Sequence, residues 1–214
     1  MANLFLHYGF DKWLEQTDTT VTFTRYADDV IVHCRSKIHA EQTLKAIGQR
    51  MNAVGLELHP KKTKIVYCRD YRRKEKYAEV KFDFLGYSFQ PRTTKAKTRS
   101  RLFLGFDCAI SISSRKRIAD KLGDLKLEKM SFKSIVGIAQ HLNSMIRGWI
   151  NYYGKFRIST LHKVFRLLHK RIVRWARKRY KRYKTSLKRG FLWLKRVQEQ
   201  YPTFFYHWQF GFLD

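Results

Sequence analysis

The chain has 214 residues, of which 44% are hydrophobic, so it is long enough and apolar enough to bury a packed core. Its 45 Lys and Arg residues against 17 Asp and Glu residues give a net charge of +28. That excess attracts polyanions, nucleic acid above all, and the alternative explanation is a basic protein on a membrane surface. This composition excludes a disordered tail, and three widely spaced cysteines exclude a disulfide framework or a zinc knuckle.

The first residues lack the charged and apolar regions of a secretory signal, and no apolar run is long enough to span a membrane. We therefore expect a protein that is not secreted and contacts no membrane, located in a bacterial-type cytoplasm or in an organelle. Apolar residues at Leu4, Phe5, Tyr8 and Phe10 predict the end of an amphipathic helix at the start of the chain.

Two β-favouring runs, residues 20–26 and 30–34, flank the adjacent carboxylates of Asp28 and Asp29. The pattern predicts a β-hairpin with the acids at or beside its turn. Like charges beside an apolar sheet favour a bound divalent cation, and carboxylate oxygens are the ligands that Mg²⁺ selects. The alternative is ordinary turn chemistry, because Asp is a favoured turn residue without any catalytic role.

A helix is predicted after the hairpin, with Ser36 as its N-cap and Gly55 as the residue that ends it. Short strands are predicted at residues 56–58 and 64–67, joined by a turn. Residues 81–89 alternate aromatic side chains and predict a strand, in which Gly86 permits a tight turn or a close approach to a backbone.

The basic segment at residues 91–101 is predicted to be an exposed loop that could contact phosphates. From about Ile110 onwards, apolar residues recur at helical spacing and predict a helix bundle. Ser113 or Ser114 is expected to cap its first helix and Ser131 its second.

The longest helix is expected to start after Ser159, with one apolar and one basic stripe. Residues 129–198 contain twenty Lys and Arg and no acid, so we favour RNA contact over a solvated face. The aromatic segment at residues 204–212 should pack on the bundle, with His207 in the core rather than as a metal ligand.

Four blocks in this order resemble the group II intron-encoded reverse transcriptases and maturases. Tyr26-Ala27-Asp28-Asp29 resembles the active-site hairpin of reverse transcriptases, and residues 55–64 the palm segment after it. Residues 82–89 look like the primer grip, and residues 143–154 look like the maturase domain, with Ser144 where that pattern often has proline.

The resemblance implies an α+β fold: a partial palm of antiparallel sheet and helix over residues 1–109, then a helical thumb and maturase bundle over residues 110–214. It implies an RNA-directed DNA polymerase of the two-metal type that uses Mg²⁺ and also binds intron RNA for splicing. The implied partners are intron RNA, an RNA template and a DNA primer.

The resemblance also implies roles for individual residues. Asp28 and Asp29 would be catalytic metal ligands, and Lys62 would lie near the departing pyrophosphate. Contact with the nucleotide or the primer is implied for Tyr26, Ala27, Phe84, Leu85, Gly86 and Tyr87. RNA binding is expected for Arg147, Lys163, Arg166, Lys170, Arg174, Arg177 and Lys181.

In this family, the fingers and a strand with another catalytic Asp come before the hairpin and would lie upstream of Met1. We therefore expect an incomplete metal site in an N-terminally truncated enzyme. The alternative is a non-catalytic maturase remnant that stabilises folded intron RNA. A third hypothesis is a fragment of a disrupted gene, active only when an N-terminal palm and fingers fragment is supplied as its partner.

Overall fold

The computed structural model describes residues 1–73, 75–95, 101–130 and 132–212. The chain forms two compact units, Met1–Lys81 and Phe82–Asp214, each with its own hydrophobic core. Both contain helices and antiparallel strands, so the predicted α+β class is confirmed. The predicted domain boundary at residue 109 stays a prediction.

The first unit begins with a helical segment made of α1 (Ala2–Leu6), a π-helical turn (His7–Asp11) and α2 (Lys12–Thr17). A two-stranded hairpin follows, β1 (Thr22–Tyr26) and β2 (Asp29–His33), and then α3 (Lys37–Ala53). The predicted N-terminal helix and hairpin are therefore confirmed. The core of this unit consists of Phe10, Leu14, Val21, Ile47 and Met51.

Helix α3 shows how local sequence sets both ends of an element. The Ser36 hydroxyl accepts a hydrogen bond from the amide of His39 at 3.1 Å, as the predicted N-cap should. At the other end Gly55 has φ of +73°, and the amide of Leu56 donates to the carbonyl of Met51 at 2.9 Å. This is the Schellman arrangement, so the predicted stop at Gly55 is confirmed.

The strands predicted at residues 56–58 and 64–67 are wrong, because the structure places neither segment in a strand. A strand needs a ladder of backbone hydrogen bonds. Here the second segment is held at one point, where the Tyr67 amide donates to the carbonyl of Glu79 at 2.8 Å. An ion pair between Lys64 and Glu79 at 2.8 Å supplements it.

The second unit begins with a three-stranded antiparallel sheet in the order β3 (Phe82–Phe84), β4 (Tyr87–Lys95) and β5 (Leu102–Ile110). The predicted loop at residues 91–101 is therefore wrong for residues 91–95, which lie in β4, while residues 96–100 lie outside the described part. Pro91 fits in β4 because β3 pairs only with residues 87–89, so one side of Pro91 needs no ladder partner.

In the described residues, four α-helices follow the sheet: α4 (Ile112–Asp124), α5 (Ile135–Arg157), α6 (His162–Arg179) and α7 (Leu187–Gln200). Short 3-10 turns lie at Leu127–Lys129, Ile158–Leu161, Lys181–Tyr183 and Tyr206–Phe210. The predicted helix bundle is confirmed. In the described part of the chain, no helix is both long enough and apolar enough to cross a membrane.

The predicted helix starts need correction. Ser111 caps α4, accepting from the amide of Ser114 at 3.1 Å, so neither Ser113 nor Ser114 is the N-cap. Ser134 caps α5, and Ser131 lies outside the described residues. The longest helix is α5 with 23 residues, whereas Ser159 lies in the 3-10 turn before α6.

The bundle core is centred on α6, whose residues Phe165, Leu168, Ile172 and Trp175 are fully buried. The C-terminal segment packs on it as predicted, with Phe205, Trp208 and Phe212 all buried. His207 is also buried, and its ring stacks on Phe165 with 4.6 Å between centroids. The prediction that His207 is a core residue is confirmed.

Candidate functional site

The β1–β2 hairpin brings the two predicted acids to one exposed turn. Its register pairs Tyr26 with Asp29, which leaves Ala27 and Asp28 as a two-residue loop. Ala27 has φ of +53°, a left-handed conformation that is strained for a residue with a side chain. Asp28 and Asp29 are both exposed, so the predicted position of the acids at the turn is confirmed.

Arg25 ties this turn to the N-terminal helical segment. Its Nε and Nη2 donate to the two carboxylate oxygens of Asp11 at 2.7 and 2.6 Å, and its Nη1 donates to the carbonyl of Ala27 at 2.9 Å. The hydrogen bond from Arg25 lowers the pKa of Asp11, and the same bond raises the pKa of Arg25. The strained turn is therefore held by a charge-assisted, bidentate contact.

The sequence alone assigned no role to Arg25. It stands in the hairpin motif next to Tyr26, but its ligand Asp11 lies on the π-helical turn, fourteen residues earlier. The one available signal was a basic residue in an otherwise β-favouring run, shortly before the acids. That signal alone could not identify Asp11 as its partner.

The chemistry of the hairpin acids fits a hard divalent cation. Among the described residues, no hydrogen bond or ion pair occupies the carboxylate of Asp28 or of Asp29. Free carboxylate oxygens are the ligand type that Mg²⁺ takes. The described residues contain no cluster of three or more His, Cys, Asp or Glu able to hold a metal, so these two acids would be only part of a ligand set if they bind one.

Lys62 lies in a separate turn rather than on the hairpin. It is exposed, and its amide donates to the carbonyl of His59 at 3.1 Å. Within the part of the chain that the structure describes, Lys62 forms no ion pair with Asp28 or Asp29. Its predicted place near a departing pyrophosphate stays a prediction.

A second tight hairpin lies in the predicted primer-contact segment. Leu85 and Gly86 form the loop between β3 and β4, with φ of +49° and +79°. Two left-handed residues are typical of a type I′ turn, which matches the twist of the flanking strands. The aromatic residues Phe84 and Tyr87 pair across this turn.

Residues near the start of α4 and in α5 fix this second turn. The hydroxyl of Tyr152, in α5, donates to the carbonyl of Leu85 at 2.8 Å, and the amide of Ser111 donates to the carbonyl of Gly86 at 2.9 Å. The Tyr87 hydroxyl donates in return to the carbonyl of Tyr152. Two blocks that are separate in the sequence, residues 82–89 and 143–154, thus form one structural cluster.

Gly86 is required here for space as well as for its backbone angle. A Cβ atom at this position would lie 2.8 Å from the hydroxyl oxygen of Ser114 and 3.3 Å from that of Tyr153. The predicted tight turn at Gly86 is therefore confirmed, and its close neighbours are side-chain oxygens rather than a backbone.

The predicted RNA-contacting residues mostly share one exposed face of α6. We call this face the basic face; its residues are Lys163, Arg166, Lys170 and Arg174. In the described part of the chain none of these four cations pairs with an acid. The opposite side of α6 is buried in the bundle core, so the basic face is on the side of the helix that a partner can reach.

Three further predicted RNA contacts lie elsewhere. Arg177 is half-buried, and its guanidinium donates to the carbonyl of Lys184 at 2.7 Å, so part of its hydrogen-bonding capacity is used within the fold. Lys181 is exposed in the 3-10 turn after α6. Arg147 is exposed on α5 and lies over the ring of Tyr206, 4.9 Å from its centroid.

These features define the class of protein. An acid-bearing hairpin and a helix, followed by a sheet and a basic helical bundle, are the order expected for a reverse-transcriptase palm joined to a nucleic-acid-binding domain. Residues 1–89 match the family model for reverse transcriptase (RNA-dependent DNA polymerase). Residues 115–193 match the model for the group II intron maturase-specific domain.

The chain belongs to the group II intron reverse transcriptase and maturase family. No curated protein matches its sequence significantly. Reverse transcriptases generally use Mg²⁺, and the two families bind RNA and use a DNA primer. The resemblance seen in the sequence is therefore confirmed.

Proposed function

We propose that this chain binds folded intron RNA through the basic face of α6 and supplies part of a two-metal polymerase site through Asp28 and Asp29. The observation that supports the first half is the charge of the basic face. Its four exposed cations have no acid among the described residues to neutralise them. RNA phosphates would neutralise them and release counterions, which favours binding at low salt.

The proposal assigns each hairpin residue a task. Asp28 and Asp29 would hold Mg²⁺, which, when bound, stabilises the charge that develops during phosphoryl transfer. Tyr26, whose side chain is largely exposed beside the acids, would lie against the incoming deoxynucleotide with Ala27. Lys62 would place a positive charge near the departing pyrophosphate.

The cluster around the second turn would support the primer end. Phe84, Leu85, Gly86 and Tyr87 lie on a hairpin whose carbonyl groups are held by α5 and by the residue that caps α4. A rigid turn keeps its position when a primer terminus moves forward by one nucleotide. Such preorganisation is how positioning residues contribute to rate.

A second candidate function is RNA binding without polymerisation. The partial ligand set favours it, because Asp28 and Asp29 are not joined by a third ligand among the described residues. In this case the chain would stabilise folded intron RNA for splicing, and the hairpin acids would be a trace of catalytic ancestry. Under the first proposal, a palm and fingers fragment would supply a third carboxylate.

RNA binding is tested by measuring the affinity of the whole chain for a structured intron RNA at several salt concentrations. Changing both Arg166 and Arg174 to Gln should weaken binding and lower the salt slope by roughly one unit for each phosphate that is no longer neutralised. The matched control changes Lys12 and Lys45 to Gln, two exposed lysines of the first unit, for the same change in charge. Equal effects from both pairs would refute the basic face as the RNA site.

A further inference from the structure

A groove with an apolar floor runs along the bundle between α4 and α6. Its floor consists of Ile112 and Ala119 from α4 and of Val164 and Leu167 from α6. Its volume is about 320 Å³, at the lower end of the range of about 300–1,000 Å³ found for ligand pockets. Ile112 remains 67% exposed, so an apolar surface faces solvent at the opening.

Among the described residues, three cations and no acid line this groove: Arg115, Lys116 and Lys163. Lys116 and Lys163 are exposed, and neither is in an ion pair within the described residues. The Nε atom of Arg115 is buried and donates no hydrogen bond to any residue that the structure describes. A buried donor without an acceptor is unfavourable, so a side-chain rotation that brings this donor to a phosphate oxygen in the groove would relieve the penalty.

Positive charge also accumulates behind Arg115. The pKa of Arg92, in β4, is lowered by burial and by the charges of Arg157 and Arg115, while Asp107 acts in the opposite direction. Asp107 is shared between Arg92 and Arg157, because its carboxylate also lies 3.7 Å from the Nε of Arg157. Three arginines near one carboxylate leave an excess of positive charge around Arg115.

We propose that this groove is a subsite for one unpaired nucleotide of bound RNA, with the base on the apolar floor and its flanking phosphates on Arg115, Lys116 and Lys163. The inference rests on the proposed RNA binding and adds a preference for unpaired over paired nucleotides. Proteins recognise sequence in RNA mostly at loops and bulges, whose bases can be turned outwards and stacked on aromatic side chains or on an Arg guanidinium plane. In this groove the apolar floor would take the place of such a platform.

Two observations favour a nucleotide over an acidic peptide in this groove. Lys163 belongs both to the groove and to the basic face of α6, so one RNA strand can follow both without interruption. The lining also combines one short apolar floor with cations around it, which matches the repeating unit of a single strand: one base and its phosphates.

The test compares three short RNA probes by fluorescence anisotropy with the whole 214-residue chain: a single-stranded oligouridylate, the same backbone with abasic sites, and a duplex of equal length. The floor variant is Ile112→Ala, an exposed position whose change should leave the fold intact, and Ile112→Ala with Leu167→Ala is the stronger form. The rim variant is Lys116→Gln. Its matched control is Lys121→Gln, an exposed lysine on α4 that does not line the groove.

The proposal predicts that the native chain binds the oligouridylate about fivefold more tightly than the abasic backbone. The floor variants should remove that preference without changing abasic binding. Lys116→Gln should weaken binding of both single-stranded probes, the oligouridylate and the abasic backbone, and reduce the salt slope of their binding by about 0.7. Lys121→Gln should do neither.

Other results would overturn the inference in distinguishable ways. Equal affinity for all three probes, unaffected by the floor variants, would refute the nucleotide subsite but leave general RNA binding standing. No measurable affinity for any probe would refute the proposed RNA binding itself. If an acidic amphipathic peptide binds and the floor variants weaken it while leaving RNA affinity unchanged, the groove is a protein-docking site instead.

Discussion

The contact between Arg25 and Asp11 should decide how firmly the acid-bearing turn is held. Arg25→Ala removes two hydrogen bonds to the Asp11 carboxylate and one to the carbonyl of Ala27. The Arg25 and Asp11 side chains are only 13% and 14% exposed, so the change leaves a largely buried carboxylate without its bidentate partner, with the Nδ1 of His7 still 3.5 Å away. Hydrogen bonds to charged groups contribute about 1.5–3 kcal/mol, and we expect a local loss of about 2–3 kcal/mol.

Hydrogen exchange followed by mass spectrometry measures this loss at the hairpin itself. A loss of about 2–3 kcal/mol raises the opening equilibrium about 30- to 150-fold, so amides of β1 and β2 should exchange faster by that factor. Lys12→Ala is the control, because it breaks an ion pair with Glu15 in which both side chains are about half exposed. Exposed pairs contribute about 0–1 kcal/mol.

A double variant separates the pair from its surroundings. Replacing both Arg25 and Asp11 leaves neither charge of the pair behind. Adding Asp11→Ala to the Arg25→Ala variant should therefore restore part of the protection against hydrogen exchange that Arg25→Ala removes. Equal exchange in Arg25→Ala and Lys12→Ala would refute the assignment of Arg25 as the residue that positions the turn.

Three further predictions concern pH and backbone strain. Hydrogen bonds, first from His39, lower the pKa of Asp18 to about 2. The ionised Asp18 carboxylate therefore stabilises the fold above pH 3.8, and this contribution is lost as the pH falls towards 2. Asp18→Asn should make stability less dependent on pH in that range, as measured by acid unfolding followed by circular dichroism. Burial lowers the pKa of His207 well below 6.5, so the folded chain resists protonation of this ring. The melting temperature should therefore decrease as the pH drops below 6.5, and His207→Gln should make that decrease smaller. Gly86→Ala should lower the melting temperature more than Gly211→Ala. Both positions have positive φ, but of the two an added Cβ has a close neighbour only at Gly86. Equal decreases in melting temperature would contradict this explanation.

The elements that could be predicted from the sequence are those whose determinants are local. Helix α3 carries its own cap at Ser36 and its own stop at Gly55, and the hairpin acids lie between two β-favouring runs. The strand at residues 91–95 could not be predicted, because its ladder partners lie on β5, beyond an intervening basic segment. Pairing with distant residues overrode a composition that favours a loop.

The same division holds for the candidate sites. Helical spacing placed Arg166, Lys170 and Arg174 on one face, and the structure leaves all three exposed. It also placed Arg177 in that row but could not show that its guanidinium would bond the carbonyl of Lys184 in the following turn. The Arg25 contact escaped prediction for a similar reason, since nothing local in the sequence links it to Asp11.

Primer extension on an RNA template with Mg²⁺ and deoxynucleotides tests the central claim most directly. It compares the 214-residue chain alone with the chain plus a palm and fingers fragment that carries the third carboxylate, and Asp28→Ala serves as the catalytic control. We expect tight RNA binding in every case, with extension only when the fragment is added, and no extension by Asp28→Ala although its RNA affinity is unchanged. Extension by the chain alone, or a fall in RNA affinity as steep as the fall in extension in Asp28→Ala, would contradict the proposed division between the hairpin acids and the basic face.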